Sequence, residues 1–205
     1  MRVSDLAIVR GGVPLLAGLS FAVEPGSALI LRGPNGIGKT TLLRTLAGLQ
    51  PPAAGQIEVP EDSVAYASHA DGIKGQLSVV ENLNFWARVY GMADVTDAVL
   101  ERFALQDLRA RAAATLSAGQ KRRLGLARLA VIGRKILLLD EPTVSLDTAS
   151  VGRFASFLQD HLDAGGSAVI ATHIDLGFTA TVLELAPYKL DAPALTASDF
   201  DEAFL

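Results

Sequence analysis

The stretch Gly33-Pro34-Asn35-Gly36-Ile37-Gly38-Lys39-Thr40, followed by a second hydroxyl residue at Thr41, fits the pattern G-x-x-x-x-G-K-[ST]. Its glycines allow a tight turn that directs successive backbone N–H groups toward phosphate oxygens. The lysine adds positive charge near the β- and γ-phosphates, and the hydroxyl of Thr40 can bind Mg²⁺. The stretch therefore predicts a phosphate-binding loop; the alternative is a glycine-rich turn with a solvated lysine.

The residues on either side of this stretch have the pattern of a strand before it and a helix after it. Residues 27–31 form a short apolar run, and residues 40–49 carry leucines at helical spacing. These leucines are Leu42, Leu43, Leu46 and Leu49. Gly48 and the prolines at 51–52 are typical of a helix end. We therefore expect the N-terminus of this helix to point at the bound phosphates.

Composition limits the class of protein. The chain has 205 residues, of which 50% are hydrophobic and 20% charged, and its formal net charge is −4. These values indicate one folded domain over residues 1–205, and the lack of a basic run beyond 121–123 argues against a nucleic-acid partner. The absence of cysteine excludes disulfides and thiolate metal sites. The chain shows neither the order of a secretory signal nor an apolar run of the roughly 20 residues that span a bilayer.

The first part of the chain has the pattern of antiparallel strands. Residues 2–9 and 19–23 alternate between apolar and polar, and the glycines at 11–12 mark a turn between them. Residues 56–59 and 64–67 are also typical of short strands. This part of the chain therefore predicts a β-rich beginning.

A helical segment begins at Ser78 and Glu81, which have the spacing of a capping box. An apolar face follows at helical spacing: Val80, Leu83, Trp86 or Ala87, and Tyr90. A second short helix is predicted near Asp94, and its apolar face is formed by Val95, Val99 and Phe103. We interpret Trp86 and Tyr90 as core residues rather than ligand contacts. These segments predict a helical lobe over about 70–132.

Later strands end in polar residues. Residues 136–139 are four aliphatic residues followed by Asp140 and Glu141, and residues 167–172 form an apolar run that ends at His173. Such strands, separated by a predicted helix over 148–164, indicate a parallel α/β sheet. Because ligands bind beyond the carboxyl ends of parallel strands, we expect these polar residues to meet the phosphate loop at one edge.

The polar residues at this edge have the chemistry that phosphoryl transfer needs. Asp140 is a candidate Mg²⁺ ligand, and Glu141 is a candidate to orient or activate the attacking water. The alternative is two solvated acids in a turn before a proline. His173 can donate a hydrogen bond to the γ-phosphate, or it is an ordinary surface histidine. Ser117 and Gly119 stand at a predicted helix N-terminus and can bind an anion, or Ser117 is only a helix cap.

Taken together, these motifs resemble those of ABC-transporter nucleotide-binding subunits over nearly the whole chain. The matching segments are the Walker A loop at 33–41, the signature Leu-Ser-Ala-Gly-Gln at 116–120, the Walker B segment at 136–141, the D-loop at 145–147 and the switch residue His173. The resemblance implies an α/β fold of the P-loop NTPase class, an ABC ATP-binding domain with a mixed sheet, an antiparallel β part and an inserted helical lobe.

The resemblance also implies cofactors and partners. It implies ATP and Mg²⁺, with Thr40 and Asp140 as the metal ligands. Members of the family form dimers in which two subunits enclose two ATP molecules. The resemblance therefore implies a homodimer in which Ser117, Gly119 and Gln120 of one subunit contact the nucleotide bound by the other.

Three positions depart from the usual pattern of the family. Ala118 stands where the signature usually has glycine. His69 stands where a glutamine usually follows the strand at 64–67, and an imidazole can still contact Mg²⁺-bound water or phosphate. Arg10 stands where an aromatic residue usually stacks on adenine, and a guanidinium can also stack on a base.

Within the family, the chain most resembles the ATP-binding subunits of haem exporters that serve cytochrome c maturation. The shared features are its short length, the basic residues 121–123 after the signature, and the stretches at 66–69, 72–74 and 81–83. This resemblance implies a peripheral protein at the cytoplasmic face of the bacterial inner membrane, with a separate transmembrane subunit. The alternatives are the ATPase of another small-molecule exporter and a soluble ABC ATPase that acts on ribosomes or DNA.

Overall fold

Two β-sheets and a helical lobe form the part of the chain that the computed structural model describes, residues 1–68, 70–94 and 97–190. The predictions for His69 and Val95 lie outside the described residues. In chain order the elements are β1 (Arg2–Arg10), β2 (Val13–Ala22), β3 (Ala28–Arg32), α1 (Lys39–Leu46), β4 (Ala54–Glu58), β5 (Val64–Ala67), α2 (Val79–Val89), α3 (Asp97–Arg102), α4 (Ala118–Val131), β6 (Ile136–Asp140), α5 (Thr148–Asp163), β7 (Ser167–Ala171) and β8 (Thr181–Glu184).

The first sheet is the predicted antiparallel part, with the order β2-β1-β4. The chain turns from β1 into β2 at Gly11 and Gly12, which both have positive φ. Val3, Leu6 and Ile8 of β1 are buried, and the three-residue step from Val3 to Leu6 coincides with a shift in the register against β2. They share one hydrophobic core with the leucines of α1, so this sheet covers the helix that follows the phosphate loop.

The second sheet has five parallel strands in the order β5-β6-β7-β3-β8. Every residue of β6 and β7 is buried, as expected for a parallel sheet that is covered on both faces. The predicted α/β class is confirmed, and in the described residues the parallel and antiparallel pairings occupy separate sheets. The sequence did not indicate β8, because three of its four residues are exposed and it has no apolar run.

Helix α1 packs its leucines into the core beside the first sheet. Leu42, Leu43 and Leu46 are buried as predicted. The prediction for Leu49 is wrong, because α1 ends at Leu46 and the side chain of Leu49 is 56% exposed. Gly48 has a φ of 71°, and this left-handed residue turns the chain away before Leu49 can join the buried face.

Helix α2 begins the helical lobe at the predicted capping box. The Glu81 N–H donates to Ser78 Oγ at 3.3 Å, and the Ser78 N–H donates to Glu81 Oε2 at 2.7 Å. The buried face differs by one residue at its start: Val79 is fully buried, whereas Val80 is half-buried. The reason is the buried amide of Asn82, which donates to the carbonyls of the preceding loop and fixes that face inward.

Two aromatic residues, Trp86 in α2 and Tyr90 at its end, pack at the core of the lobe. Trp86 and Tyr90 are half-buried and pack against the core, as predicted. Trp86 Nε1 also donates to the Gly72 carbonyl at 3.2 Å. The predicted second helix of the lobe is α3, which the structure describes from Asp97 to Arg102; residues 95–96, just before it, lie outside the described residues.

The close contact between β1 and β4 gives a test of the antiparallel sheet. A Cβ at Gly55, where φ is 85°, would lie 2.3 Å from the Asp5 carbonyl oxygen. Gly55→Ala should therefore lower the free energy of unfolding by at least about 2 kcal/mol through backbone strain and overlap. Urea denaturation followed by circular dichroism measures this change.

Gly152 provides the matched control for this test. It lies inside α5, and a Cβ there would meet nothing within 4 Å. Gly152→Ala should raise the free energy of unfolding by about 0.5–1 kcal/mol, because glycine is less favourable than alanine in a helix. Equal effects of the two substitutions would contradict the described contact at Gly55.

Candidate nucleotide-binding site

The phosphate loop connects the end of β3 to the start of α1. Gly33, Gly36 and Gly38 have φ values of 150°, 83° and 117°, which other residues rarely adopt. Ile37 is buried beneath the loop, where a Cβ at Gly33 would lie 3.1 Å from its Cγ2. Gly38 caps α1 without any side-chain hydrogen bond, so the first N–H groups of the helix remain available to an anion.

A cavity of about 540 Å³ opens beside this loop and collects most of the predicted site residues. Its lining residues are Arg10, Leu15, Asn35, Gly36, Gly38, Lys39, Thr40, Thr41, Asp140, Glu141, Val144 and His173. They come from both sheets, the phosphate loop and the segment after β6. This convergence confirms that the strand ends meet at one edge of the parallel sheet.

A larger groove of about 760 Å³ lies elsewhere, between the end of α1 and the segment around β4. It contains Leu49, three prolines and two acidic residues, but none of the phosphate-loop residues 33–40. Volume alone would favour this groove as the ligand site. The smaller cavity is the candidate nucleotide site, because the phosphate loop and Lys39 line it, whereas the described lining of the larger groove has no cation.

Lys39 is held in place by the loop itself. Its ammonium donates to the Gly33 carbonyl at 2.7 Å and to the Pro34 carbonyl at 3.3 Å, and the residue is 8% exposed. An ammonium group has three hydrogens, so one remains for a phosphate oxygen. Lys39 therefore closes the loop and also supplies charge to the cavity.

Thr40 and Asp140 are the candidate Mg²⁺ ligands. Thr40 lies in the first turn of α1, and Asp140 ends β6 with 1% exposure; both line the cavity. A hydroxyl and one carboxylate, completed by phosphates and water, is a ligand set that suits Mg²⁺. Burial, followed by the negative charge of Asp140, raises the pKa of neighbouring Tyr66 to about 12, so the phenol stays protonated beside this carboxylate.

Glu141 occupies a strained position at the cavity wall. Its φ is 46°, a left-handed conformation that costs a non-glycine residue about 1–3 kcal/mol. The turn is held on both sides: the Glu141 N–H donates to the Ala171 carbonyl at 2.9 Å, and its carbonyl accepts from Arg122 at 2.8 Å. Glu141 Oε1 lies 3.5 Å from His173 Nε2, so the candidate base and the candidate phosphate donor are neighbours.

The signature residues lie apart from this cavity. Ser117 caps α4 and forms a capping box with Gln120, whose side chain accepts from the Ser117 N–H at 2.9 Å. Gly119 lies against the D-loop, where a Cβ would be 3.1 Å from the Ser145 carbonyl oxygen. In the described residues, the lining of the cavity includes neither Ser117, Gly119 nor Gln120. Their contact with nucleotide is not made in the cavity of this subunit and stays a prediction.

Some site residues escaped the sequence analysis. Leu15 and Val144 line the cavity, although nothing in their local pattern indicates it. A Cβ at Gly38 would lie 3.4 Å from Leu15 Cδ1, so Leu15 packs against the start of α1. Arg10, by contrast, lines the cavity as predicted.

No helix within residues 1–68, 70–94 and 97–190 has both the length and the apolar character that a membrane span needs.

Comparison with known proteins identifies the family. The model of the ABC transporter family matches residues 16–144. The cytochrome c biogenesis ATP-binding export protein CcmA of Ruegeria pomeroyi is 64% identical over 98% of both chains, and that of Rhodobacter capsulatus is 57% identical over 100% of this chain and 99% of its own. An ABC transporter ATP-binding protein from Pyrococcus furiosus has a TM-score of 0.82 at 26% identity, covering 92% of this chain and 98% of its own.

The chain belongs to the ABC transporter family, as an ATP-binding subunit that hydrolyses ATP in a transport system. These findings confirm the predicted fold and the predicted ATPase activity. The membership also implies a partner in the membrane, because an ATP-binding subunit powers transport through another component.

The position of Arg10 leads to an expectation about the base of the nucleotide. Because a guanidinium can stack on any base, phosphate contacts should supply most of the binding free energy. We expect ATP and GTP affinities to differ by less than about 100-fold, or roughly 2.7 kcal/mol. Competition binding with the two nucleotides measures the ratio, and a larger preference for ATP would reveal base-specific contacts. Arg10→Ala should weaken the binding of ATP and of GTP by a similar factor.

Proposed function

We propose that this chain is the ATP-hydrolysing subunit of a haem exporter in cytochrome c maturation, where its turnover drives haem export or the release of a haem-loaded chaperone. The observation that carries this proposal is the full-length similarity to the two cytochrome c biogenesis export proteins. The cavity supports the chemistry, because it joins a phosphate loop to two acidic residues and a histidine.

The proposed hydrolysis step uses five side chains of the cavity. Lys39 and the N–H groups of the loop bind the β- and γ-phosphate oxygens. Glu141 accepts a hydrogen bond from the attacking water and orients its oxygen toward the γ-phosphorus. The water oxygen forms a bond to the γ-phosphorus as Glu141 accepts a proton from that water, and the bond from this phosphorus to the β–γ bridging oxygen breaks. ADP and phosphate are released, while His173 donates to a γ-phosphate oxygen. Mg²⁺, held by Thr40 and Asp140, would neutralise negative charge on the phosphates.

The complete site is a homodimer interface in this proposal. Ser117 and Ala118 are exposed at the N-terminus of α4, and neither lines the cavity of its own subunit. A second copy would bring these groups to the γ-phosphate from the opposite side. ATP, but not ADP, would then contact both subunits and favour the closed dimer. ATP can shift the dimer toward closure only as far as its affinity for the closed dimer exceeds its affinity for the open one.

The membrane partner is a CcmB-like subunit in this proposal, with the chain peripheral at the cytoplasmic face of the inner membrane. An exposed apolar stripe on the helical lobe supports a docking surface there. Phe85 and Val89, one turn apart on α2, and Met92, just after the helix, are 36%, 57% and 46% exposed. The stripe is joined to the loop after β5, because Lys74 Nζ lies 4.5 Å from the centre of the Phe85 ring. Nucleotide-driven changes near that loop can therefore reach the partner.

The role of Glu141 is tested by one substitution. Glu141→Gln should retain nucleotide binding and lower ATP turnover by about 10²–10⁴-fold, the usual contribution of a general base. Phosphate release by the purified protein measures turnover, and equilibrium binding of ATP measures affinity. Glu101→Gln, an exposed position in α3, is the matched control and should leave both values unchanged. Full turnover in Glu141→Gln would remove the assigned role.

The cellular role is tested by deletion and complementation. Cells without the gene should lack mature c-type cytochromes; wild type should restore them, whereas Lys39→Ala should not. His69→Ala should impair restoration more than it impairs nucleotide binding. Haem staining of membrane proteins measures the cytochromes. Normal cytochromes in the deletion strain would favour the alternative of another small-molecule exporter and leave the ATPase activity standing.

A further inference from the structure

Arg122, on the second turn of α4, is a buried cation with partners in two separate segments. The residue is 5% exposed. Its Nε donates to the Pro142 carbonyl at 2.9 Å and its Nη2 to the Glu141 carbonyl at 2.8 Å. Its Nη1 donates to the Ser68 carbonyl at 2.8 Å and to Asp71 Oδ1 at 3.0 Å. One guanidinium thus joins the turn that carries Glu141 to the loop after β5.

The neighbouring face of α4 holds the same loop closely. A Cβ at Gly125 would lie 2.8 Å from the Asp71 Cβ, so Asp71 packs directly on the helix backbone. Arg128, two turns along, donates to the Tyr66 carbonyl at 3.3 Å and stacks 4.9 Å from the Trp86 ring centre. The loop therefore cannot move relative to α4 without disturbing the contacts of Arg122.

The turn at Glu141 is stabilised by the hydrogen bonds that Arg122 donates to it. Its left-handed backbone is unfavourable, and the carbonyls of Glu141 and Pro142 both accept from the Arg122 guanidinium. Charged donors make stronger hydrogen bonds than neutral ones, and the planar group of arginine fixes the relative positions of its acceptors. A lysine at this position, with one ammonium group, cannot hold the same four acceptors in the same geometry.

We propose that Arg122 is a positioning residue that sets the orientation of Glu141 and links it to Ser68 and Asp71. The inference rests on the proposed role of Glu141 in hydrolysis. Arg122 itself does not line the nucleotide cavity. Its loss should therefore lower the rate of the chemical step and leave nucleotide affinity nearly unchanged.

A double-mutant cycle of the full chain tests this proposal. Arg122→Gln should lower kcat by about 10–100-fold, the effect of misplacing a catalytic group by about 1 Å. The KM for ATP and the Kd for ADP should change less than about threefold, because Arg122 does not line the nucleotide cavity. A tenfold change would correspond to about 1.4 kcal/mol of binding free energy. In the Glu141→Gln background, Arg122→Gln should lower the residual kcat less than about twofold, because residues that act as a unit are not additive.

The outcomes separate the inference from the proposed function. An equal loss of kcat in both backgrounds would show that Arg122 acts independently of Glu141 and overturn the inference. A Glu141→Gln protein with full turnover would instead remove the proposed base, and the inference with it.

Arg123→Gln is the matched control on the same helix. The Arg123 guanidinium donates to the Phe103 and Ala104 carbonyls inside the helical lobe, away from Glu141. Arg123→Gln should alter thermal stability, but it should not lower kcat more in the wild-type background than in the Glu141→Gln background. If it does, the effect of Arg122→Gln comes from a general loosening of α4 and the inference is wrong. If Arg122→Gln does not fold, Arg122→Lys and Asp71→Asn replace it. Arg122→Lys and Asp71→Asn should each lower kcat when Glu141 is present and leave it nearly unchanged in the Glu141→Gln background. An equal loss of kcat in the two backgrounds would overturn the inference.

Discussion

The parallel pairing of buried strands is the constraint on which the site depends. β6, β7 and β3 lie side by side in register, from Ile136 beside Ser167 to Asp140 beside Ala171. Because both faces of these strands are covered, their interiors must be apolar, and the first polar residues follow where each strand ends. The phosphate loop, the acidic pair and His173 are therefore brought to one edge by the sheet, and each side chain needs only local adjustment.

That constraint explains which parts of the structure the sequence could predict. The apolar runs of β3, β6 and β7 are visible in the sequence, and so are the glycine-rich loop and the capping box at Ser78. Local chemistry decides all of them, because a strand, a turn or a cap is specified by residues within about five positions. The residues that line the cavity from these elements were therefore correctly expected to converge.

The remaining features were not predicted, and some of them depend on contacts between distant segments. Arg122 follows the signature and has no local pattern that would reveal acceptors 51 and 54 residues away. The buried start of α2 was displaced by one residue because the amide of Asn82 bonds to the preceding loop. Leu49 was misplaced because Gly48 ends the helical arrangement early, and β8 has no apolar pattern because it lies at the sheet edge.

The left-handed backbone of Glu141 sets stability against activity at this position. Glycine would adopt the same conformation without strain and would still leave its carbonyl for Arg122, yet it would remove the carboxylate. Selection for a more heat-resistant protein alone would thus reward the loss of this acid. Under the proposed role of Glu141 in hydrolysis, the glutamate is kept at a cost in stability because turnover needs its carboxylate, and laboratory stabilisation of this subunit should hold the position fixed.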